Sequence, residues 1–219
     1  MIKENGKGLL IIISGPSGTG KGTICKEIVK ENKDIEISIS MTSRKPRGNE
    51  QNGIDYYFVT KEEFEKRIRD NEFLEYAIVH SNEYYGTPKR KEEELINQGK
   101  SVILEIDIQG ALKVKEQNKE AIFIFTMPPS MKVLKERLTN RNTESEEKIM
   151  ERFKKAYKEL NEYKKYNYVV VNDKLEDAVN KVKSIILAEK CRADRIEDIY
   201  LDTLEEEMHE TLMEKEFNN

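Results

Sequence analysis

Cysteine is scarce in this 219-residue chain: Cys25 and Cys191 stand far apart and without CxxC spacing, which excludes a disulfide framework and a cysteine zinc site. Two isolated thiols suit a reducing compartment, and a cytoplasmic location is expected. Long apolar runs are also missing. The longest, Leu9 to Ile13, is too short for a signal-peptide core or a membrane span, and Ser14 and Gly15 end it at once. An excess of basic charge is lacking too, since 38 Lys and Arg face 42 Asp and Glu for a net charge of -4. Broad nucleic-acid binding, which needs Lys and Arg spread over a face, is thereby excluded, and any phosphate chemistry must be local. The two histidines, His80 and His209, suggest no chemistry, and there is no internal repeat or low-complexity segment.

What is present is a densely charged chain, 37% charged and 37% hydrophobic, long enough for one substantial core carrying small inserted subdomains. Short β-rich runs, Leu9 to Ser14, Ile35 to Ile39, Ser101 to Ile106, Ala121 to Thr126 and Tyr168 to Val171, alternate with polar helical stretches. Three of them are apolar on both faces, which predicts an α/β fold with a parallel sheet covered by helices on each side. The expected core comprises residues 8–37, 88–127 and 160–189. Residues 38–87 change texture, with tyrosines, alternating strands (Tyr56 to Val59, Phe73 to Val79) and a helix that Thr60 and Glu63 start as a capping box. They read as an inserted substrate subdomain. Residues 128–159 read as a mobile lid of two helices, one capped by Ser130 and one by Thr143 with Glu146, and residues 190–219 as an acidic helical tail lying on the body or on another subunit.

After the first strand comes Gly15-Pro16-Ser17-Gly18-Thr19-Gly20-Lys21-Gly22-Thr23, followed by a helical stretch through Val29. Strand, glycine-rich GxxxxGK loop and helix stand in the order that a phosphate cradle requires. The glycines let backbone N–H groups turn around an anion, the helix N-terminus adds a positive dipole, and Lys21 adds a full charge near the β and γ phosphates. Gly22 stands where Ser or Thr usually offers a hydroxyl to magnesium. The metal is therefore expected to be held mainly through the nucleotide's phosphates and water, with no protein ligand set.

The acceptor is indicated by Ser38-Ile39-Ser40-Met41-Thr42-Ser43-Arg44-Lys45-Pro46-Arg47-Gly48, Asn52-Gly53-Ile54-Asp55-Tyr56-Tyr57-Phe58, Glu72-Phe73-Leu74-Glu75, Tyr84-Tyr85-Gly86-Thr87 and Leu104-Glu105-Ile106-Asp107-Ile108-Gln109-Gly110. With the glycine loop, these resemble the motif series of the guanylate kinases, in order and from about Leu9 to Ala188. The resemblance implies transfer of the γ-phosphoryl group of ATP, the co-substrate, to GMP and also dGMP, with residues 38–87 as the GMP-binding subdomain. Arg44 and Arg47, flanking Pro46, form two fixed guanidinium forks suited to a phosphate, and Tyr56 and Tyr85 can add uncharged donors. Glu75 is the expected discriminator, because guanine presents N1–H and an amino group side by side while adenine has an acceptor at N1. The resemblance adds Ser40, Thr87 and Asp107 to the base site. Thr87 replaces an expected Ser but keeps the hydroxyl.

By position, Arg137, Arg141 and Arg152 match the family's lid arginines. Together with Lys21 and Arg44 they would stabilise charge on the transferred group while closure excludes water. Asn172 and Asp173 resemble residues near the adenine site. Three rivals stand beside this reading. Asp107 to Gly110 satisfies the DxxG pattern of a GTPase switch, yet Asn32-Lys33-Asp34-Ile35 fails the base-reading NKxD pattern at its last position. A non-catalytic interaction module typically lacks the loop lysine, which is present as Lys21. A kinase for another acceptor is disfavoured by Glu75 and Ser40. A homo-oligomer is allowed.

Overall fold

A computed structural model of the chain describes residues 7–79, 83–139, 146–195, 205–209 and 211–213. Two sheets organise it. The larger is parallel throughout and is built from β1 (Leu10–Ser14), β2 (Ile35–Ile37), β7 (Ser101–Glu105), β8 (Ile122–Met127) and β9 (Tyr168–Val171), in the order β2-β7-β1-β8-β9. Its central strand β1 is buried along its whole length, so both faces must be apolar. Ile11 and Ile13 pack on α1 (Lys21–Glu31) and α7 (Leu175–Lys190) through Ile24, Ile28, Val182 and Ile186, whereas Leu10 and Ile12 pack on α4 (Ile108–Gln117) through Ala111 and Val114. The strands lie where the β-rich runs predicted them. They end sooner at Ile37 and Glu105, because Ser38 and Ile106 begin the departures from the sheet.

The smaller sheet holds β3 (Met41–Thr42), β4 (Tyr57–Phe58), β5 (Phe73–Val79) and β6 (Glu83–Pro88) in the order β4-β3-β6-β5. Pairing is antiparallel except between β3 and β4. One face is covered by α2 (Lys61–Arg69), whose fully buried Phe64 stacks on Phe73 at 4.4 Å and on Tyr84 at 5.1 Å. Period-two alternation along β6 turns Tyr85 and Thr87 to the other face from Tyr84, and an irregularity between Phe73 and Glu75 breaks the alternation of β5 so that Glu75, paired with Thr87, joins them. The expected capping box of α2 is half made. The Thr60 hydroxyl accepts the Glu63 N–H at 3.2 Å, but the Glu63 carboxylate turns to Arg67 at 2.8 Å, a charge-assisted bond that competes with the reciprocal cap.

Beyond β8, α5 (Met131–Thr139) starts at the expected cap, with the Ser130 hydroxyl accepting the Val133 N–H at 3.2 Å. It packs on α6 (Glu146–Glu159) in a small cluster of Leu134, Leu138 and Ala156. The expected Thr143 cap falls outside the described residues. After α7 the chain is fastened by a buried carboxylate, Glu189, which accepts from Tyr168 at 2.5 Å, Arg195 at 3.0 Å and Arg192 at 3.3 Å. The described tail residues 205–209 and 211–213 are helical and exposed. Among the described residues, no helix is long and apolar enough to cross a membrane.

Candidate active site

The loop from Gly15 to Gly20 joins β1 to α1 at the carboxyl end of the parallel sheet, the usual place for ligands in such sheets. Its shape demands glycine. Gly18 and Gly20 have φ of 88° and 86°, and a Cβ on Gly20 would lie 2.4 Å from the Asn172 amide nitrogen. That amide donates to the Thr19 carbonyl at 2.8 Å, so Asn172, buried beside the loop, supports its backbone. The Thr19 hydroxyl donates to the Pro16 carbonyl at 2.9 Å and lies 2.9 Å from the Thr126 hydroxyl. Lys21 bends back over the loop, its ammonium donating to the Gly15 and Pro16 carbonyls at 2.6 and 3.0 Å. Two of its three N–H donors are thus engaged. Burial lowers its pKa, opposed by the nearby carboxylates of Glu105, Glu159 and Asp107. Thr23 is exposed.

Gly22 has no hydroxyl, and a Cβ there would lie 3.1 and 3.2 Å from the two Glu105 oxygens, so that carboxylate stands beside the site a P-loop hydroxyl would occupy. No cluster of three His, Cys, Asp or Glu able to hold a metal exists among the described residues. The donor set fits a magnesium ion carried in on phosphates, with Glu105 able to receive one of its waters.

Across from the loop, Glu75 is 8% exposed, accepts from the Thr87 hydroxyl at 2.9 Å and is pushed up to about 7, first by burial and further by the charge of Asp107. Its Oε2 lies 2.8 Å from where a Cβ of Gly110 would be. Glycine at 110 is therefore what lets β5 and α4 approach. Asp107 caps α4, accepting the Gly110 N–H at 2.7 Å. Glu75, Thr87 and Asp107 are thus brought together. Ser40 is half-buried, and its described bond is a backbone one beside the strand pairing, its carbonyl accepting the Tyr57 N–H at 2.9 Å; no described contact joins its hydroxyl to this cluster.

The basic loop forms a second cluster. Arg44, 6% exposed, donates from Nε to the Tyr85 hydroxyl at 2.7 Å, from Nη1 to the Lys45 carbonyl at 3.0 Å, and from both Nη atoms to Glu50 at 2.6 and 2.8 Å. Its guanidinium also lies 4.9 Å from the Tyr56 ring centroid, and burial raises the Tyr56 hydroxyl above its usual pKa. Glu50 accepts the Arg47 N–H as well, at 2.9 Å, and the Arg44 bonds hold it down at about 2. Arg47 is exposed, and its backbone, not its guanidinium, makes the described contact. The carboxylate of Glu50 spans the fork as an oxyanion of a phosphate would. Sequence reasoning missed it, although a lone acid inside a short basic loop was the available signal.

Of the lid arginines, Arg152 reaches the loop, its Nη2 donating to the Ser17 hydroxyl at 2.5 Å. Arg137 reaches the Asp173 carbonyl at 3.4 Å, and Arg141 lies outside the described residues. Helix α5 touches the loop directly, since a Cβ on Gly18 would meet Leu134 and Leu138 at 3.0 Å.

A parallel sheet with this loop, this lysine and helices on both faces makes the chain a P-loop protein of the kinase kind. The guanylate kinase family model matches residues 7–189. The guanylate kinase of Clostridium tetani is 61% identical over 206 residues, covering 94% of this chain and 98% of its own, and that of Clostridium perfringens 56% over 211 residues, covering 96% and 97%. A crystal structure of the guanylate kinase from Anaplasma phagocytophilum is 32% identical, covers 87% of this chain and 90% of its own, and superposes with a TM-score of 0.71. The chain belongs to the guanylate kinase family.

Proposed function

We propose that the protein transfers the γ-phosphoryl group of ATP to GMP, and to dGMP, giving ADP and the nucleoside diphosphate. The observation that carries this reading is Glu75, a buried carboxylate whose one described donor is Thr87, set beside Asp107 and across from the phosphate loop. Such a group needs further donors, and guanine's N1–H and amino group supply two on one edge; adenine would present an acceptor to it.

The acceptor phosphate lies against Arg44, Arg47, Tyr56 and Tyr85. Arg44 has five N–H donors, of which four are engaged, so one remains for the phosphate even while Glu50 holds the fork. ATP lies with its phosphates in the loop of Gly15 to Thr23, where the free N–H of Lys21 and the α1 dipole face them. Catalysis then consists of in-line placement and neutralisation of charge on the moving group by Lys21, Arg44 and the lid arginines Arg141 and Arg152. A magnesium ion carried in on the phosphates would shield their charge, and the Glu105 carboxylate beside Gly22 could accept from one of its waters. Residues 128–159 act as the lid and residues 38–87 as the acceptor subdomain. Asp107, whose carboxylate caps α4, reads as a helix cap beside the guanine site and not as a GTPase switch aspartate. Free Cys25 and Cys191 suit a cytoplasmic enzyme.

A coupled assay of ADP formation, with GMP, dGMP and AMP compared in the presence and absence of magnesium, tests this. ADP formation should require GMP or dGMP together with magnesium. Equal use of AMP, or rapid ATP hydrolysis without an acceptor, would reject the reading.

A further inference from the structure

The smaller sheet is joined to the rest of the chain by two crossings. Residues 38–40 lead out from the end of β2, and Lys89 leads back from β6 into α3 (Arg90–Asn97). The two meet at one side-chain contact. The Ser38 hydroxyl on the outgoing crossing donates to Glu92 Oε1 at 2.6 Å, and Glu92 belongs to the first turn of α3 on the returning one.

Glu92 is a costly residue to place there. It is 2% exposed, its Oε2 is fully buried without a hydrogen-bond partner, and burial raises its carboxyl above the usual range. The dipole at the start of α3 favours its charge, but an acid serving only that purpose would reach solvent or its own helix's N–H groups, as Glu at this position commonly does. Here, besides its own backbone N–H, it reaches a hydroxyl 54 residues away in sequence. A groove of about 610 Å³ opens beside the returning crossing, lined by Tyr57, Pro88, Lys89 and Lys91 among others.

The acceptor residues Arg44, Glu75, Tyr85 and Thr87 all lie on the chain between the crossings, while the phosphate loop lies outside them. The sheet also meets the core where β5 closes on α4, at Glu75 with Gly110 and at the Tyr76 carbonyl with Lys113, so the crossings act together with that contact to set the distance from acceptor to donor. We propose that Glu92, clasping Ser38, is a positioning residue that sets the smaller sheet against the phosphate loop and so tunes GMP binding without touching either nucleotide. This rests on the proposed function and adds a residue to it.

Steady-state kinetics of the whole chain test the clasp through Ser38→Ala, Glu92→Ala, the double variant and Glu92→Gln, with KM measured separately for GMP and ATP. Each alanine variant should raise KM for GMP roughly 5- to 10-fold, the worth of one ordinary hydrogen bond, while KM for ATP stays within about 2-fold. The double variant should be no worse than the poorer single, since both remove one bond. Glu92→Gln should stay within about 2-fold of wild type, because its amide oxygen still accepts from Ser38. A purely structural acid would move both KM values together. That result, unmoved KM values, or single effects that multiply in the double variant would each overturn the proposal. If Glu92→Ala fails to fold, Ser38→Ala with Glu92→Gln decides the question. A wild-type chain inactive with GMP would reject the proposed function itself, whereas an active wild type with unmoved variants would reject only the clasp.

Discussion

Replacing Glu75 by Gln should make the nucleotide-free protein more stable and the enzyme worse. A carboxyl raised from 4.5 to about 7 holds a proton in the folded state that the unfolded chain has already lost between those values. Its contribution therefore favours folding below about pH 4.5 and is lost as pH rises through 7. That loss amounts to roughly 3 kcal/mol above pH 7, at 1.36 kcal/mol for each pH unit between the two values. Glutamine mimics the protonated acid and still accepts from Thr87, so it escapes this cost. For a chain of this length the gain is roughly 5 to 10 °C in Tm at pH 8 without nucleotide, shrinking below pH 5. The opposite holds for turnover. A glutamine amide offers guanine one acceptor and one donor, leaving a donor facing a donor, and kcat/KM for GMP should fall by roughly thirty-fold to several-hundred-fold, or 2 to 4 kcal/mol. In the wild type, KM for GMP should rise about ten-fold per pH unit below pH 7, as the carboxylate is lost. Calorimetry at pH 5 and 8 with kinetics against GMP and AMP reads all of this. A variant equally stable at pH 8 and within two-fold in GMP kcat/KM would refute the reasoning and make Glu75 an ordinary strand acid.

Three further outcomes are expected. Lys21→Ala should lower kcat by roughly a thousand-fold or more with the fold kept, since what it gives up in structure is its two bonds to the Gly15 and Pro16 carbonyls and no core packing; a variant with full activity would remove the loop from catalysis. Glu50→Gln should raise KM for GMP roughly ten-fold with ATP unaffected, because the Arg44 fork loses a doubly bonded, charged partner; unchanged KM would show that Tyr85 and the Lys45 carbonyl suffice to hold it. Truncation after Arg195 should leave activity and Tm almost unchanged, whereas truncation after Lys190 should destabilise by roughly 2 to 4 kcal/mol, leaving the buried Glu189 without Arg192 and Arg195. Equal Tm for the two truncations, measured by thermal denaturation, would contradict that account.

The parallel sheet was legible because its strands are apolar runs with no competing period, and the phosphate loop because its glycines are forced by backbone geometry. Glu75 and Arg44 were legible through the motifs around them. What escaped depends on contacts distant in sequence. Nothing local marks Glu92 as different from Glu93 and Glu94 beside it, yet it alone of the three is buried, because the helix face it occupies turns toward Ser38. Glu189 looks like one more charge in a polar helix until Tyr168 and Arg195 close over it. Asn172 was placed near the adenine site by resemblance, while its amide is engaged with Thr19. Gly110 read as the end of a family motif and of a DxxG pattern, with no role of its own, whereas its missing side chain makes room for Glu75.

The insertion of the smaller sheet through two neighbouring crossings has a consequence for protein engineering. Under the proposed function, residues 41–88, which hold the smaller sheet, carry most of the acceptor chemistry as one cassette, and the loop residues 15–23 carry the donor chemistry as another. Exchanging the cassette for one of different specificity should redirect the phosphoryl group without redesigning the ATP site. The cassette is not self-sufficient, however, because Glu75 closes against Gly110 and beside Asp107, both of which remain with the host. A transplanted sheet would meet a wall shaped for a carboxylate, so host positions 107 and 110 must travel with it.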